Sequence, residues 1–331
     1  MKSRFSALVL LTLAYLSTTV FAWDGSDCCN NYTCSAYTYN SCTNWGVYVL
    51  YENVIVRPYF SRNNAYFLEN PSGVDGQRAV MFDWDYKYSP RIELGWLNDC
   101  GVGLRGRYWW FHNDTTLDAT SPDGEIASWF AEDSVSTDLG FDDATSAEFR
   151  HKLHIDVADL EAVFNVCKWT YSAGGRYLSM DQKYIATQLA PSTTSFEAKH
   201  NFNGGGLTTA VEYFQPVWCG FSLFTKARGS LLYGHSSFLA INAEGDTAIR
   251  SRNKHDLIAI GELQLGVDWR FSFCDMCSFL RFAIETQYWI GGGAGGPGDN
   301  AVFDEGNYQS SNPQDSHLGF FGFNIGIGLM F

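Results

Sequence analysis

Residues 318–331 alternate almost without fault and stop on an aromatic ring. Gly319, Phe321, Phe323, Ile325, Ile327, Leu329 and Phe331 share one parity, while Gly322, Asn324, Gly326 and Gly328 share the other. Successive side chains of a strand point to opposite faces, so this segment has one apolar face and one small or polar face. A soluble β-sandwich also alternates, but its apolar faces are turned inward. A strand closing on Phe331, in a chain that opens like an exported protein, predicts the reverse arrangement, with lipid outside and water inside.

The opening twenty-two residues carry Lys2 and Arg4, then an apolar run over 5–16, then small residues around Val20-Phe21-Ala22. That order predicts a signal sequence over 1–22, cleaved after Ala22. No later stretch is apolar for the eighteen residues a membrane helix needs. The expected fold class is therefore all-β, a single transmembrane antiparallel β-barrel of about ten strands over 45–331. A short Cys-rich periplasmic segment, 23–44, precedes it. Aromatic residues at 16% and 32 glycines fit aromatic girdles and close strand packing. A net charge of −14 argues against nucleic acid as a partner.

Strands are expected at 47–60, 80–96, 102–111, 149–166, 169–180, 202–214, 221–232, 257–271, 279–289 and 318–331. The first changes apolar parity from Val47, Val49 and Tyr51 to Val54 and Val56, which suggests a bulge near Glu52. The second runs unbroken from Val80 through Phe82, Trp84, Tyr86 and Tyr88 to Trp96, with Pro90 inside it. The fourth changes parity after Leu153, Ile155 and Val157. Short turns (98–101, 167–168, 215–216, 274–277) alternate with long connections, so the short ones all fall on the periplasmic side.

Every cysteine maps to that side. Cys28, Cys29, Cys34 and Cys42 lie in the N-terminal segment; Cys100, Cys167, Cys219, Cys274 and Cys277 lie in or beside short turns. An oxidising periplasm favours disulfides that staple the segment under the barrel, and the connectivity stays open. A metal site at Cys274 and Cys277 with Cys28 and Cys29 is the weaker alternative, so neither metal nor cofactor is expected.

The expected inward parity is charged. Its candidate pore-lining residues are Asp83, Asp85, Lys87, Arg91, Glu93, Arg105, Arg107, Asp156, Glu161, Arg176, Glu212, Lys226, Arg228, Glu262, Arg281 and Glu285. Arg150, Lys152, Asp268 and Arg270 share it. Buried charges must be paired or wetted, so the lumen is either a water channel or a ladder of ion pairs. Ten acids and no Lys or Arg between 112 and 148 would favour cations at the outer mouth. Outer-membrane lipid and small hydrophilic solutes or cations are the expected partners; a homo-oligomer or a contact with the periplasmic wall stays open. Catalysis is not expected. His151, His154 and Asp156 lack an adjacent nucleophile, and Asp83 with Asp85 are simpler partners for inward arginines.

Six boxes are similar to those of the pore-forming outer-membrane proteins typified by the Legionella major outer membrane protein. The first is Ser89-Pro90-Arg91-Ile92-Glu93-Leu94-Gly95-Trp96, and the next two are DVADLEAVF at 156–164 and GGRYL at 174–178. ARGSLLYG at 227–234, ELQLGVDW at 262–269 and ETQYW at 285–289 follow in order. The resemblance implies a single barrel that forms a pore, with Arg91, Glu161, Arg176, Arg228 and Glu285 facing the lumen. The alternative is a mostly filled barrel with a structural role in the envelope, and a barrel hydrolase ranks below both.

Overall fold

A computed structural model describes residues 46–61, 63–68, 78–121, 126–128, 141, 144–218, 220–242, 248–273, 276–293, 302–304, 307–309 and 317–331. The expected signal sequence, the Cys-rich segment, Cys219, Cys274 and seven of the ten acids between 112 and 148 lie outside these residues. Among those described, ten strands form one closed antiparallel barrel. They are β1 (Gly46–Phe60), β2 (Lys87–Leu97), β3 (Val102–Thr120), β4 (Ser146–Val166) and β5 (Trp169–Ala190). The remainder are β6 (Thr194–Trp218), β7 (Phe221–Asn242), β8 (Ala248–Phe273), β9 (Met276–Ile290) and β10 (His317–Met330). Each pairs with its sequence neighbours, and β10 closes on β1 from Tyr48↔Met330 to Phe60↔Leu318.

The terminal strand keeps the parity its sequence dictates. Phe321, Ile325, Ile327 and Phe331 are exposed on the outer wall, and Gly322, Asn324, Gly326 and Gly328 are buried inside. Outward leucines such as Leu104, Leu160, Leu207 and Leu263 continue that apolar band around the barrel. Trp96, Trp169, Tyr171 and Trp269 rim it at the short-turn end, and Tyr108, Tyr177, Tyr233 and Tyr288 rim it at the other. Trp169 and Tyr177 stand eight residues apart on β5. At about 3.3 Å per residue and a tilt near 40° the rims are ~20 Å apart, close to the apolar height of membrane barrels.

Two short turns have the chemistry their tightness needs. Asn98 caps the first, its Oδ1 accepting from the Val102 amide at 2.8 Å, with Gly101 at φ 77°. The second holds Cys167 at φ 54° between β4 and β5. The expected turn at Gln215-Pro216 is instead a continuation of β6 to Trp218, and Gly220 at φ 84° makes the reversal. Pro90 is tolerated because β2 starts pairing with β3 only at Arg91, so its missing donor costs no rung on that side.

Three expectations change in the upper half of the barrel. β1 pairs continuously with both neighbours, without a bulge, so Val54 and Val56 point inward and are fully buried. β4 alternates unbroken past 158, which turns Leu153, Ile155 and Val157 inward as well. The segment 80–96 is not one strand; Arg78–Met81 and β2 are separate, and Phe82 and Trp84 between them are buried. The cause is common. This half of the interior is apolar, so apolar parity there marks the inside rather than the lipid.

The strands also outrun their apolar pattern. The long connections expected at 181–201 and 233–256 are mostly β-sheet, because β5 runs to Ala190, β6 starts at Thr194, β7 runs to Asn242 and β8 starts at Ala248. Their outward residues turn polar beyond the tyrosine rim (Asp181, Lys183, Glu197, Lys199) because the wall there has left the hydrocarbon.

Candidate functional site: the charged lumen and its apolar plug

Below the tyrosine rim the lumen is a network of ion pairs. Arg91 donates to Glu52 at 2.7 Å and to both carboxylate oxygens of Glu285 at 2.9 and 2.8 Å. Glu285 also accepts from Gln264, Gln287 and Asn324 at 2.9, 2.8 and 2.8 Å. Arg105 bridges Glu161 at 2.7 Å and Glu212 at 2.6 Å, and Lys226 reaches Glu212 at 3.1 Å. Asp159 takes Arg107 at 2.8 Å and Arg176 at 2.6 Å, while Glu262 faces the same two arginines from across the lumen. Arg228 pairs with Glu161, and Tyr48 donates to Glu93 at 2.9 Å. Arg281 lies 4.6 Å above the Phe224 ring and 3.9 Å from Asp268.

The barrel's geometry dictates this pairing. Inward residues of adjacent strands fall on shared rungs, such as Arg105↔Glu161 and Arg228↔Glu262, so opposite charges meet side by side. Other pairs cross the lumen, which is narrow enough for Arg91 on β2 to reach Glu285 on β9. Inward glycines provide the space: a Cβ at Gly326 would stand 2.9 Å from the Glu52 side chain. At the short-turn end the network opens onto a cavity of about 110 Å³, lined in part by Glu93, Arg105, Glu212 and Arg281.

Above the network the interior is packed with apolar side chains. Segments from two long loops form a small sheet, Asn64–Leu68 between Arg78–Met81 and Ile126–Ser128. Its Ala65, Tyr66, Phe67, Ile126 and Ala127 pack in one cluster with inward Phe111, Phe149, Met180, Phe196 and Phe202 of the wall. Tyr66 stacks on Phe149 with centroids 4.9 Å apart, and the Tyr184 hydroxyl donates to the Ala65 carbonyl at 2.7 Å. Trp84 lies 5.1 Å from the His151 ring and donates its indole N–H to Asn63 at 2.9 Å. We call this layer the plug.

Of the sequence-derived lining residues, Arg91, Glu93, Arg105, Arg107, Glu161, Arg176, Glu212, Lys226, Arg228, Glu262, Arg281 and Glu285 are buried in the lower lumen. Four are elsewhere. Asp83, Asp85 and Lys87 are exposed, and Asp83 pairs with outward Arg57 at 2.6 Å. Asp156 faces outward, accepting from Tyr108 at 2.7 Å and lying 3.2 Å from His154. Arg150 and Lys152 are likewise on the outer wall, and His151 is inside the plug, 1% exposed. Glu52, Asp159 and Asn324 belong to the network but were not singled out. Glu52 sits at the expected bulge and Asp159 at the expected parity change, whereas strict alternation along β1 from outward Tyr51 and along β4 from inward Glu161 finds both. Cys100, Cys167 and Cys277 all lie at the short-turn rim.

The family model for the Legionella pneumophila major outer membrane protein precursor matches residues 40–290. The chain belongs to that family. It is thus an outer-membrane barrel. No curated protein matches it. Among solved structures, this chain is similar to the outer membrane protease OmpT from Escherichia coli. That match has a TM-score of 0.40 and 11% identity, and covers 89% of this chain and 98% of that one. It is also similar to the Pseudomonas putida toluene transporter TodX, with a TM-score of 0.33, 10% identity and coverage of 86% and 90%. The Ralstonia pickettii toluene transporter TbuX gives 0.33, 10%, 86% and 89%.

Proposed function

We propose that the protein is a narrow pore for ions or small hydrophilic solutes that rests closed, its charged lower lumen sealed by the plug. The observation that carries this reading is the division of the interior. Paired charges with attached water can pass an ion along, whereas an apolar constriction stops conduction by dewetting. The seal is built partly from loop segments, which can leave without breaking the barrel wall. On this reading the protein is not an enzyme: His154 and Asp156 stand on the outer wall and His151 in the plug, on opposite faces of β4.

Planar-bilayer recording tests it. The parent should open rarely, and a variant with 64–81 replaced by a short Gly/Ser linker should conduct steadily, with a salt gradient reading ion preference. If that variant folds, as shown by heat-modifiable migration, yet stays silent, the pore reading falls. The buried ion-pair network would then favour a filled structural barrel.

The short-turn cysteines remain proposed disulfide partners of the N-terminal segment. Non-reducing peptide mapping should recover peptides joining 23–44 to Cys100, Cys167 or Cys277. Alkylation of all three thiols without prior reduction would overturn the staple.

A further inference from the structure

The outer wall above the tyrosine rim carries a charge pattern that the pore does not use. Lys152, Lys183 and Lys199 face outward on β4, β5 and β6, and the register sets them side by side: Lys152 opposite Lys183, and Lys183 opposite Lys199. Like charges directly opposite on one sheet face destabilise a pair, so three in a row are held at a cost. Only Glu197 offsets it, at 2.6 Å from Lys183 and 2.5 Å from Lys199; Lys152 has no ion pair among the described residues.

These lysines line a concave face of about 670 Å³ with Lys87, Arg150, Asp114 and Asp181. Five cations against two carboxylates leave it at net +3, and Glu197 at its edge brings that to +2, on a chain whose total is −14. The position on the wall identifies the ligand. From Tyr177 at the rim to Lys183 is six residues along β5. At about 3.3 Å per residue and a tilt near 40° the row stands ~15 Å beyond the rim. Phospholipid headgroups occupy only roughly 5–8 Å on each side of the hydrocarbon, so their phosphates stay below it.

We propose that this face binds the phosphorylated headgroup of an outer-leaflet glycolipid, whose sugars carry phosphate up to the lysine row while its acyl chains lie on the apolar band below. Ammonium groups on three strands would converge on phosphate oxygens, turning a repulsive row into charge-assisted hydrogen bonds. The site is independent of whether the lumen conducts.

The test uses the full-length refolded protein in neutral detergent, with bound lipid counted by native mass spectrometry. The probes are a lipopolysaccharide with phosphorylated core sugars, the same glycolipid stripped of phosphate, phosphatidylglycerol and inorganic phosphate. The phosphorylated lipopolysaccharide should bind, and high salt should weaken it. The triple variant K152Q/K183Q/K199Q should bind it about a hundredfold more weakly, while the triple arginine variant keeps it. Heat-modifiable migration of both variants should match the parent, since neutralising the row removes repulsion. Equal binding by the glutamine variant, or by the dephosphorylated glycolipid, would overturn the proposal. Displacement of the lipopolysaccharide by equimolar phosphatidylglycerol or inorganic phosphate would overturn it too, leaving a simple phospholipid or free-anion site.

Discussion

Replacing Asp159 with asparagine is expected to lower the unfolding free energy by about 3–5 kcal/mol, the cost of breaking a buried ion pair from one side. The size follows from its partners. Asp159 is 6% exposed and holds Arg107 at 2.8 Å and Arg176 at 2.6 Å, with Arg228 at 3.7 Å. Neutralising it leaves three guanidinium groups to share Glu161 and Glu262 inside a wall they cannot leave. An exposed pair provides the control. Asp83 opposite Arg57 has a side chain 85% exposed, so Asp83→Asn should cost under about 1 kcal/mol. Denaturant titrations in detergent, read by the fold-dependent gel shift, would compare the two, and similar midpoints would refute the network's role in holding the lower barrel.

The second large effect is expected at Trp84. It is 1% exposed, lies 5.5 Å from the Phe60 ring and 5.1 Å from His151, and donates to Asn63. Trp84→Ala removes one of the two largest fully buried rings of this apolar cluster, a change that costs about 3–5 kcal/mol in a packed core. The loss falls on docking of the plug, because Trp84 belongs to a loop between the small sheet and β2. At 1.4 kcal/mol per decade, the open-to-closed ratio should rise by about a hundredfold or more. Bilayer recordings should show longer openings, and limited proteolysis should cut the 61–86 loop faster. Unchanged conductance together with unchanged protection would mean that Trp84 does not hold the seal.

The lower barrel was legible because sequence and membrane agree there. Lipid requires an apolar outer face, so Ile92, Leu94 and Trp96 have to point out and Arg91 and Glu93 in. Above the rim that logic lapses. Alternation tells that two faces differ, not which is inside. Val54, Phe82, Trp84 and Leu153 read as lipid-facing when they face the plug, and Lys152 and Asp156 read as lumenal when they face outward. The small sheet could not be foreseen, since Asn64–Leu68, Arg78–Met81 and Ile126–Ser128 are short and meet only in three dimensions. Strand length was missed for a related reason: once Lys183, Glu197 and Lys199 broke the outer apolar pattern, the strands looked finished although their inner residues Tyr184, Phe196 and Ala198 continued it.

The seam between β1 and β10 has a consequence for assembly. Those two strands hold thirteen successive partners, from Tyr48↔Met330 to Phe60↔Leu318, yet they stand at opposite ends of the described chain. Until β10 arrives, both flanks of the sheet carry unpaired amides and carbonyls, each costing several kcal/mol if left in hydrocarbon. Neither a partial barrel nor one lacking this strand is a weaker version of the finished protein; lipid rejects both. Insertion is therefore a proofreading step, in which the bilayer itself admits only a chain whose last strand has found its first.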